Sequence, residues 1–296
     1  METRALGRTG LEVSTLCMGC WEIGGLFWGP VEAGAAVALL RRAHEAGVTT
    51  FDLSDNYGNG RSEVLVGAGL GEVRQQTVLV TKAGYIMGAD GAQSVMKRPI
   101  AQRFDRAYLT WECEMSLWRL GTDYLDVFLL HDYLLSSPDP SAEAADEPFE
   151  ALLRLKEAGK IRHYGVSATP AVAQVAIERF GAEVVEVPFN LLDQRAAQQL
   201  FPVAAERGVG VLARSPFASG RLFRPRSETE GQARDLRQLV RPPAKSLAEL
   251  AIKFVLSCAP VASVVTGIAR ESELDENTDA ASPPFLLPDQ VAELAS

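Results

Sequence analysis

Short, nearly continuous apolar runs alternate along the chain with longer segments whose apolar residues recur at the three-to-four spacing of a helix. The runs fall at 16–20, 48–52, 77–82, 124–131, 161–167, 184–188, 209–215 and 262–266, and they predict strands. The helical segments lie at 31–46, 62–70, 104–120, 149–158, 171–180, 195–206, 246–258 and 272–280. Gly47 stops the first of them, and Ser62-Glu63 suits the start of the second. Eight strands are thus each followed by a helix. Runs such as VLV, VFLL, VVEV and VGVL show almost no polar alternation, as befits strands covered on both faces in a parallel sheet. Ahead of the first unit, residues 2–15 hold two apolar-polar pieces joined by Arg8-Thr9-Gly10, the pattern of a β-hairpin.

Eight βα units without a break in composition predict an α/β fold: one closed (β/α)₈ TIM barrel over residues 1–296, with an N-terminal hairpin and long strand-to-helix loops. The competing arrangement is a doubly wound open sheet, whose dinucleotide fingerprint G-x-G-x-x-G would follow its first strand. Gly67, Gly69 and Gly71 fall instead at a helix end, where a C-cap accounts for them. Segments 86–103 and 221–245 exceed plain connectors and are read as functional loops.

Composition narrows the partners. A formal charge of −9 and a pI near 5.0 argue against nucleic acid or an anionic membrane surface, and favour a small-molecule substrate. No apolar stretch of about 18 residues occurs, and Met1-Glu2-Thr3-Arg4 lacks the basic-then-apolar order of a signal peptide, so a cytoplasmic protein is expected, as a monomer or homo-oligomer. Four cysteines make no disulfide framework. Cys17 and Cys20 are spaced as CxxC, but on a strand residues three apart point to opposite faces, so no metal site is expected there.

In such a barrel the chemistry sits at the carboxyl ends of the strands. The second strand delivers Asp52 and then, from its loop, Tyr57; the third ends in Lys82; the fourth ends in His131. Lys82 directly after an apolar core is costly to bury unless paired, and Asp52 on the adjacent strand is its natural partner. An ammonium beside a phenol stabilises phenolate, which predicts a lowered Tyr57 pKa and a group able to exchange a proton with a carbonyl oxygen. His131 can hydrogen-bond that oxygen. Taken singly each residue has an ordinary structural explanation, but four polar strand ends converging on one place favour a site. His44 and His163 lack such company and are read as structural or solvated.

These residues lie within motifs through which the chain resembles the aldo-keto reductase family: LGRTGLEVS at 6–14, FDLSDNYGNGRSE at 51–63, LVTKAGY at 79–85, RLGTDYLDVFLLHD at 119–132, KEAGKIRHYGVSA at 156–168, VPFNLLD at 187–193 and SPFASGRL at 215–222. The resemblance implies a barrel that binds a nicotinamide cofactor in extended form and moves hydride to or from a carbonyl carbon, with Asp52, Tyr57, Lys82 and His131 as catalytic set and Tyr57 as proton donor. It implies cofactor contacts at Gly19, Cys20, Trp21, Asp52, Ser167, Glu186 and Arg214. Further contacts follow at Ser215, Pro216, Phe217, Ser219, Gly220 and Arg221, and around the adenosine at Thr266, Gly267, Arg270, Glu273, Glu276 and Asn277. NADP is the cofactor the resemblance favours, with NAD as the alternative.

The chain departs from the family pattern in places. Ala168 replaces an Asn, Glu186 a common Gln, and Arg214 a frequent aromatic, and neighbouring strands suggest a Glu186–Arg214 ion pair. Gly267 and Glu273 stand where many members carry cations for the 2′-phosphate, leaving Arg270 as the main cation; an acidic Glu273 would repel that phosphate. A substrate pocket is expected from Trp21, Trp28, Tyr57, Tyr85, His131 and Tyr133, with Met87, Met96 and Arg98 in the long loops. Two alternatives share the fold: a regulatory subunit similar to potassium-channel β subunits, and a redox-neutral epimerase or lyase.

Overall fold

In the computed structural model, which describes residues 1–25, 31–86, 101–134, 137–224 and 236–295, the apolar runs pair edge to edge and close on themselves. Strands β1 (Thr3–Ala5) and β2 (Glu12–Ser14) form the antiparallel hairpin. The barrel comprises β3 (Leu16–Gly19), β4 (Thr50–Asp52), β5 (Val78–Ala83), β6 (Leu125–His131), β7 (Ile161–Ser167), β8 (Val184–Pro188), β9 (Gly210–Arg214) and β10 (Val261–Gly267), in that order, with β10 pairing back to β3. All eight neighbouring pairs are parallel.

Helices α1 (Ala33–Glu45), α2 (Arg61–Leu70), α3 (Arg106–Leu120), α5 (Asp146–Glu157), α6 (Pro170–Phe180), α9 (Leu247–Leu256) and α10 (Glu271–Ala280) follow the predicted periodicity. The segment expected as one helix at 195–206 divides into α7 (Arg195–Gln199) and α8 (Phe201–Arg207), because Pro202 has no amide to continue the ladder. The short helices α4 (Pro140–Glu143) and α11 (Pro288–Leu294) span too little chain to show a period. The α2 start also differs from the expected cap. Gly60 caps it, Ser62 Oγ donates to the Cys20 carbonyl at 2.9 Å, and the buried Glu63 accepts from Thr81 Oγ1 at 2.7 Å while pairing with Arg119.

Strand alternation sorts the core into two layers. Cys17, Val78, Val80, Val127, Leu129, Val184 and Leu212 fill the barrel interior, whereas Leu16, Met18, Leu79, Phe128, Leu130, Val185 and Val211 pack outward beneath the helices. Leu6 and Val13 of the hairpin join the interior layer and plug the amino end. There Gly7 lies so close to β9 that a Cβ would meet the Gly210 nitrogen at 2.4 Å, at a left-handed φ of 57°. With one end plugged, the carboxyl end is left for chemistry. Among the described residues no helix is long and apolar enough to cross a membrane.

Candidate active site

Inward-facing positions turn polar in the last layer of the barrel. The interior face of β5 runs Val78, Val80 and then Lys82; that of β6 runs Val127, Leu129, His131; β8 adds Glu186 after Val184, and β9 adds Arg214 after Leu212. Register sets His131, Ser167 and Glu186 side by side across β6, β7 and β8. A spacing of two residues from an apolar interior is what brings the candidates together.

Lys82 is the hub and is fully buried. Its Nζ pairs with Asp52 Oδ1, donates to the Leu53 carbonyl at 2.9 Å, and lies 3.4 Å from the Tyr57 hydroxyl. Glu186 Oε2 approaches the same ammonium at 3.5 Å, while Ser167 Oγ donates to Glu186 Oε1 at 2.9 Å. The expected Glu186–Arg214 ion pair is present, its groups 3.9 Å apart, and each also has a closer partner: Arg214 is 3.2 Å from Asp132 and Glu186 3.5 Å from Lys82.

Two carboxylates share one ammonium. Burial pushes the Asp52 carboxyl up and the facing Glu186 adds to this, with Lys82 opposing. Burial also works against charge on Glu186, but Lys82, a hydrogen bond from Asp52 and Arg214 hold it below the usual carboxylate range. For Lys82, burial is outweighed by Asp52 and Glu186, so its pKa rises. Tyr57 departs from expectation. Lys82 does draw the phenol down, yet burial, Asp52 and Glu186 prevail and hold it well above its ordinary value, so Tyr57 is a protonated donor at rest. Burial, with Lys82 and Arg214 nearby, keeps His131 neutral.

Aromatic rings shape the mouth. The Tyr57 and Tyr85 rings stand nearly perpendicular to His131 at 5.9 and 5.0 Å, and Trp21, 38% exposed, lies 6.4 Å from Tyr57. Tyr85 donates to Asp132 Oδ2 at 2.8 Å. Tyr133, expected on the pocket wall, is instead packed between Phe104 and Phe149, its hydroxyl accepting from the Ala145 amide at 3.0 Å. Its position two residues past His131 on a turn, with Asp132 at a φ of 48°, sends it into the core. Trp28, Met87, Met96 and Arg98 lie outside the described residues.

The residues expected to hold a cofactor form two groups. Near the hub, Gly19 sits so close to β10 that a Cβ would stand 3.0 Å from the Thr266 carbonyl, and the buried Cys20 donates its amide to the Asp52 carbonyl at 2.8 Å. After β9, Ser215, Ala218 and Ser219 adopt left-handed φ of 60°, 51° and 55°, giving a tight turn with buried Pro216, Phe217 against Phe223, and exposed Gly220 and Arg221. Asn190 Nδ2 donates to the Ser215 carbonyl at 3.1 Å and steadies that turn. At the second group, Asn277 Nδ2 donates to Thr266 Oγ1 at 3.3 Å, Glu276 is exposed, and Arg270 projects into solvent 3.8 Å from Glu273.

Orphaned polar atoms bear on whether these residues suit such a group. Arg214 Nε is buried without a hydrogen-bond partner among the described residues, which suits an acceptor on the amide-bearing end of a nicotinamide, whereas Glu186 Oε2 is turned toward Lys82. At the far end the fit is poorer for an anion. Glu273 Oε2 already accepts from the Ala269 and Arg270 amides at 2.9 and 3.2 Å, and the Glu22 carboxyl fills the space a Gly267 side chain would take. Burial pushes Glu22 up to about 7.

Several site neighbours carried no sequence signal of their own. Ser54 and Asp55 lie inside the motif that holds Asp52 and Tyr57, with Ser54 contacting both Asp55 and His131, and Asp132 anchors Tyr85 and Arg214. Cys17 and Cys20 are free and buried, with Cys17 in the interior layer and Cys20 in the outer one, and no metal-binding cluster occurs among the described residues.

A parallel barrel whose carboxyl end gathers a buried lysine, its carboxylates, a tyrosine and a histidine is the arrangement that the resemblance to aldo-keto reductases implies. The chain belongs to the Aldo/keto reductase family, whose model matches residues 15–296. It is 31% identical over 314 residues to the oxidoreductase YqkF of Bacillus subtilis, covering 100% of this chain and 96% of that one. It is also 30% identical to L-galactose dehydrogenase of Arabidopsis thaliana over 95% of this chain and 88% of that one. The holo form of the aldo-keto reductase AKR11C1 from Bacillus halodurans superposes with a TM-score of 0.85 at 29% identity, covering 100% of this chain and 95% of that one.

Proposed function

We propose that the protein is a nicotinamide-dependent oxidoreductase that interconverts a carbonyl and an alcohol, with Tyr57 as the proton donor and acceptor. The observation that carries this reading is the Tyr57 hydroxyl, 3.4 Å from Lys82 Nζ, at the mouth of a barrel whose other end is plugged. The nicotinamide, when bound, supplies or receives the hydride. Tyr57 gives its proton to the carbonyl oxygen as negative charge develops there, and Lys82 stabilises the phenolate left behind. Asp52 and Glu186 hold Lys82 in place and charged. Glu186, Ser167 and Arg214 orient the amide-bearing ring, and Trp21 and Tyr85 limit water at the mouth. In the oxidising direction the same proton returns to Tyr57. The relation to a dehydrogenase named for L-galactose supports a sugar or hydroxyaldehyde as substrate.

Replacing Tyr57 with Phe is expected to lower turnover by about 10²–10⁴-fold while leaving nicotinamide binding, followed by fluorescence titration, unchanged. Unchanged turnover would reject the assignment. Glu273 holds two backbone amides that an anion would otherwise use, so Glu273→Ala is expected to raise the ratio of NADPH to NADH affinity in the same titration.

A further inference from the structure

Helix α3 carries a stripe that the fold leaves uncovered. Its inner face is accounted for, since Leu109, Cys113, Leu117 and Leu120 are buried against the rest of the barrel. The outer face is apolar too. Trp111 and Trp118, seven residues and so about two turns apart, are 56% and 74% exposed, with the half-buried Met115 between them on the same side. Val64 is exposed on α2, the helix whose Gly67 lies against the Leu120 carbonyl of α3. Single exposed apolar residues are ordinary, but two indoles on one stripe of one helix leave on the order of 200–300 Å² of aromatic surface in water and make a patch. Its rim carries both signs of charge. Toward α5, Arg106 pairs with Glu150 at 3.2 Å and Lys160 with Glu114 at 3.3 Å. Just past the end of α3 the exposed Asp123 has no ion-pair partner among the described residues. The chain as a whole carries a formal charge of −9, so two copies repel over most of their surface and approach most easily where the acids are balanced.

We propose that this face is where two copies of the chain meet, with their α3 helices antiparallel about a two-fold axis. Reciprocity is what selects a second copy as the occupant. An axis between Glu114 and Met115 sets Trp111 level with the partner's Trp118 and Trp118 level with the partner's Trp111, so that each indole is covered by another. The same operation brings Arg106 level with the partner's Asp123, because both pairs of positions share one midpoint. Each end of the contact thus gains an oppositely charged pair, while Glu114 beside the axis already has its charge offset by Lys160. The size of the face agrees. With 15 residues α3 is about 22 Å long, and with α2 and α5 alongside, each helix about 10 Å across, the face covers roughly 700 Å², near the ~800 Å² that each partner gives to a stable interface. The inference stands apart from the oxidoreductase reading.

The mass in solution tests this. Sedimentation velocity of the full chain between about 1 and about 100 μM covers the range in which specific self-association shows. The wild type is expected at twice the 32.0 kDa chain mass or a multiple of that, and Trp118→Glu at half the wild-type mass. A two-fold contact meets each substitution twice, so Trp111→Glu and Trp118→Glu should each raise the dissociation constant at least about 100-fold. Both side chains face water in the single chain, so the circular dichroism spectra of these variants should match that of the wild type. Charge reversal reads the pairing: Arg106→Asp and Asp123→Arg should each weaken the assembly, and the double variant should regain it. A wild type that stays at 32.0 kDa up to about 100 μM, or an assembly that survives both tryptophan replacements, overturns the proposal. Charge variants that leave the assembly unchanged, or a double variant that does not regain it, overturn the antiparallel pairing.

Discussion

Lys82 has two carboxylate partners, and that governs how the hub answers substitution. With Asp52→Asn the ammonium keeps Glu186 at 3.5 Å; with Glu186→Gln it keeps Asp52. Only the double variant leaves a fully buried charge without a counterion, which is far costlier than losing one of two. The loss of stability in Asp52→Asn/Glu186→Gln is therefore expected to exceed the sum of the single losses by about 1–3 kcal/mol, measured by urea unfolding. Simple additivity would show that Glu186 does not serve Lys82. The sequence showed both Glu186 and Arg214 as neighbours on adjacent strands but not which partner each takes. That depends on stagger: Glu186 is level with Ser167 and Leu212, whereas Arg214 is level with Pro188, two residues further up β8. Stagger is a property of the closed sheet and leaves no mark in either strand alone. The Tyr57 phenol is raised first by burial and then by Asp52 and Glu186, and the depth of that burial likewise leaves no mark in the motif that carries Tyr57.

Strand β7 shows how one position holds an element in register. Gly165 pairs with Val184, and a Cβ there would stand 1.6 Å from the Val184 carbonyl oxygen, a backbone atom that cannot move aside. Gly165→Ala is expected to part β7 from β8, displacing Ser167 from Glu186, and to destabilise the fold by about 3 kcal/mol or more. Thermal unfolding would show a lowered Tm; a Tm within a degree or so of the wild type would contradict the close approach. The strands themselves were legible because burial on both faces leaves an unbroken apolar run, and 161–167 and 184–188 match the observed bounds of β7 and β8. The turns were not. Tyr133 and the left-handed residues from Ser215 to Ser219 owe their placement to backbone conformations that no apolar period encodes.

At the scale of the whole molecule, eight repeated units made the closed barrel readable, because a parallel sheet with both faces covered has few ways to hide its edges. What repetition could not reveal is that burial at the carboxyl end of the barrel raises the pKa of acids there. Burial, aided by Glu112 and Glu63, pushes Asp55 up to about 8 against the opposing hydrogen bonds of Ser54 and Asn56, and burial pushes Glu22 up to about 7. Both groups titrate near 4 in an unfolded chain. Between those limits the folded protein binds more protons than the unfolded one, so these groups make stability fall as pH rises, with the Glu22 share gone above about 7 and the Asp55 share above about 8. Asp55→Asn cannot titrate. Its urea midpoint is expected to drop less than that of the wild type between about pH 5 and about pH 9, and adding Glu22→Gln should flatten the profile further. A wild-type midpoint that rises over this range, or a variant that falls just as steeply, would mean that Asp55 is ionised in the folded barrel throughout.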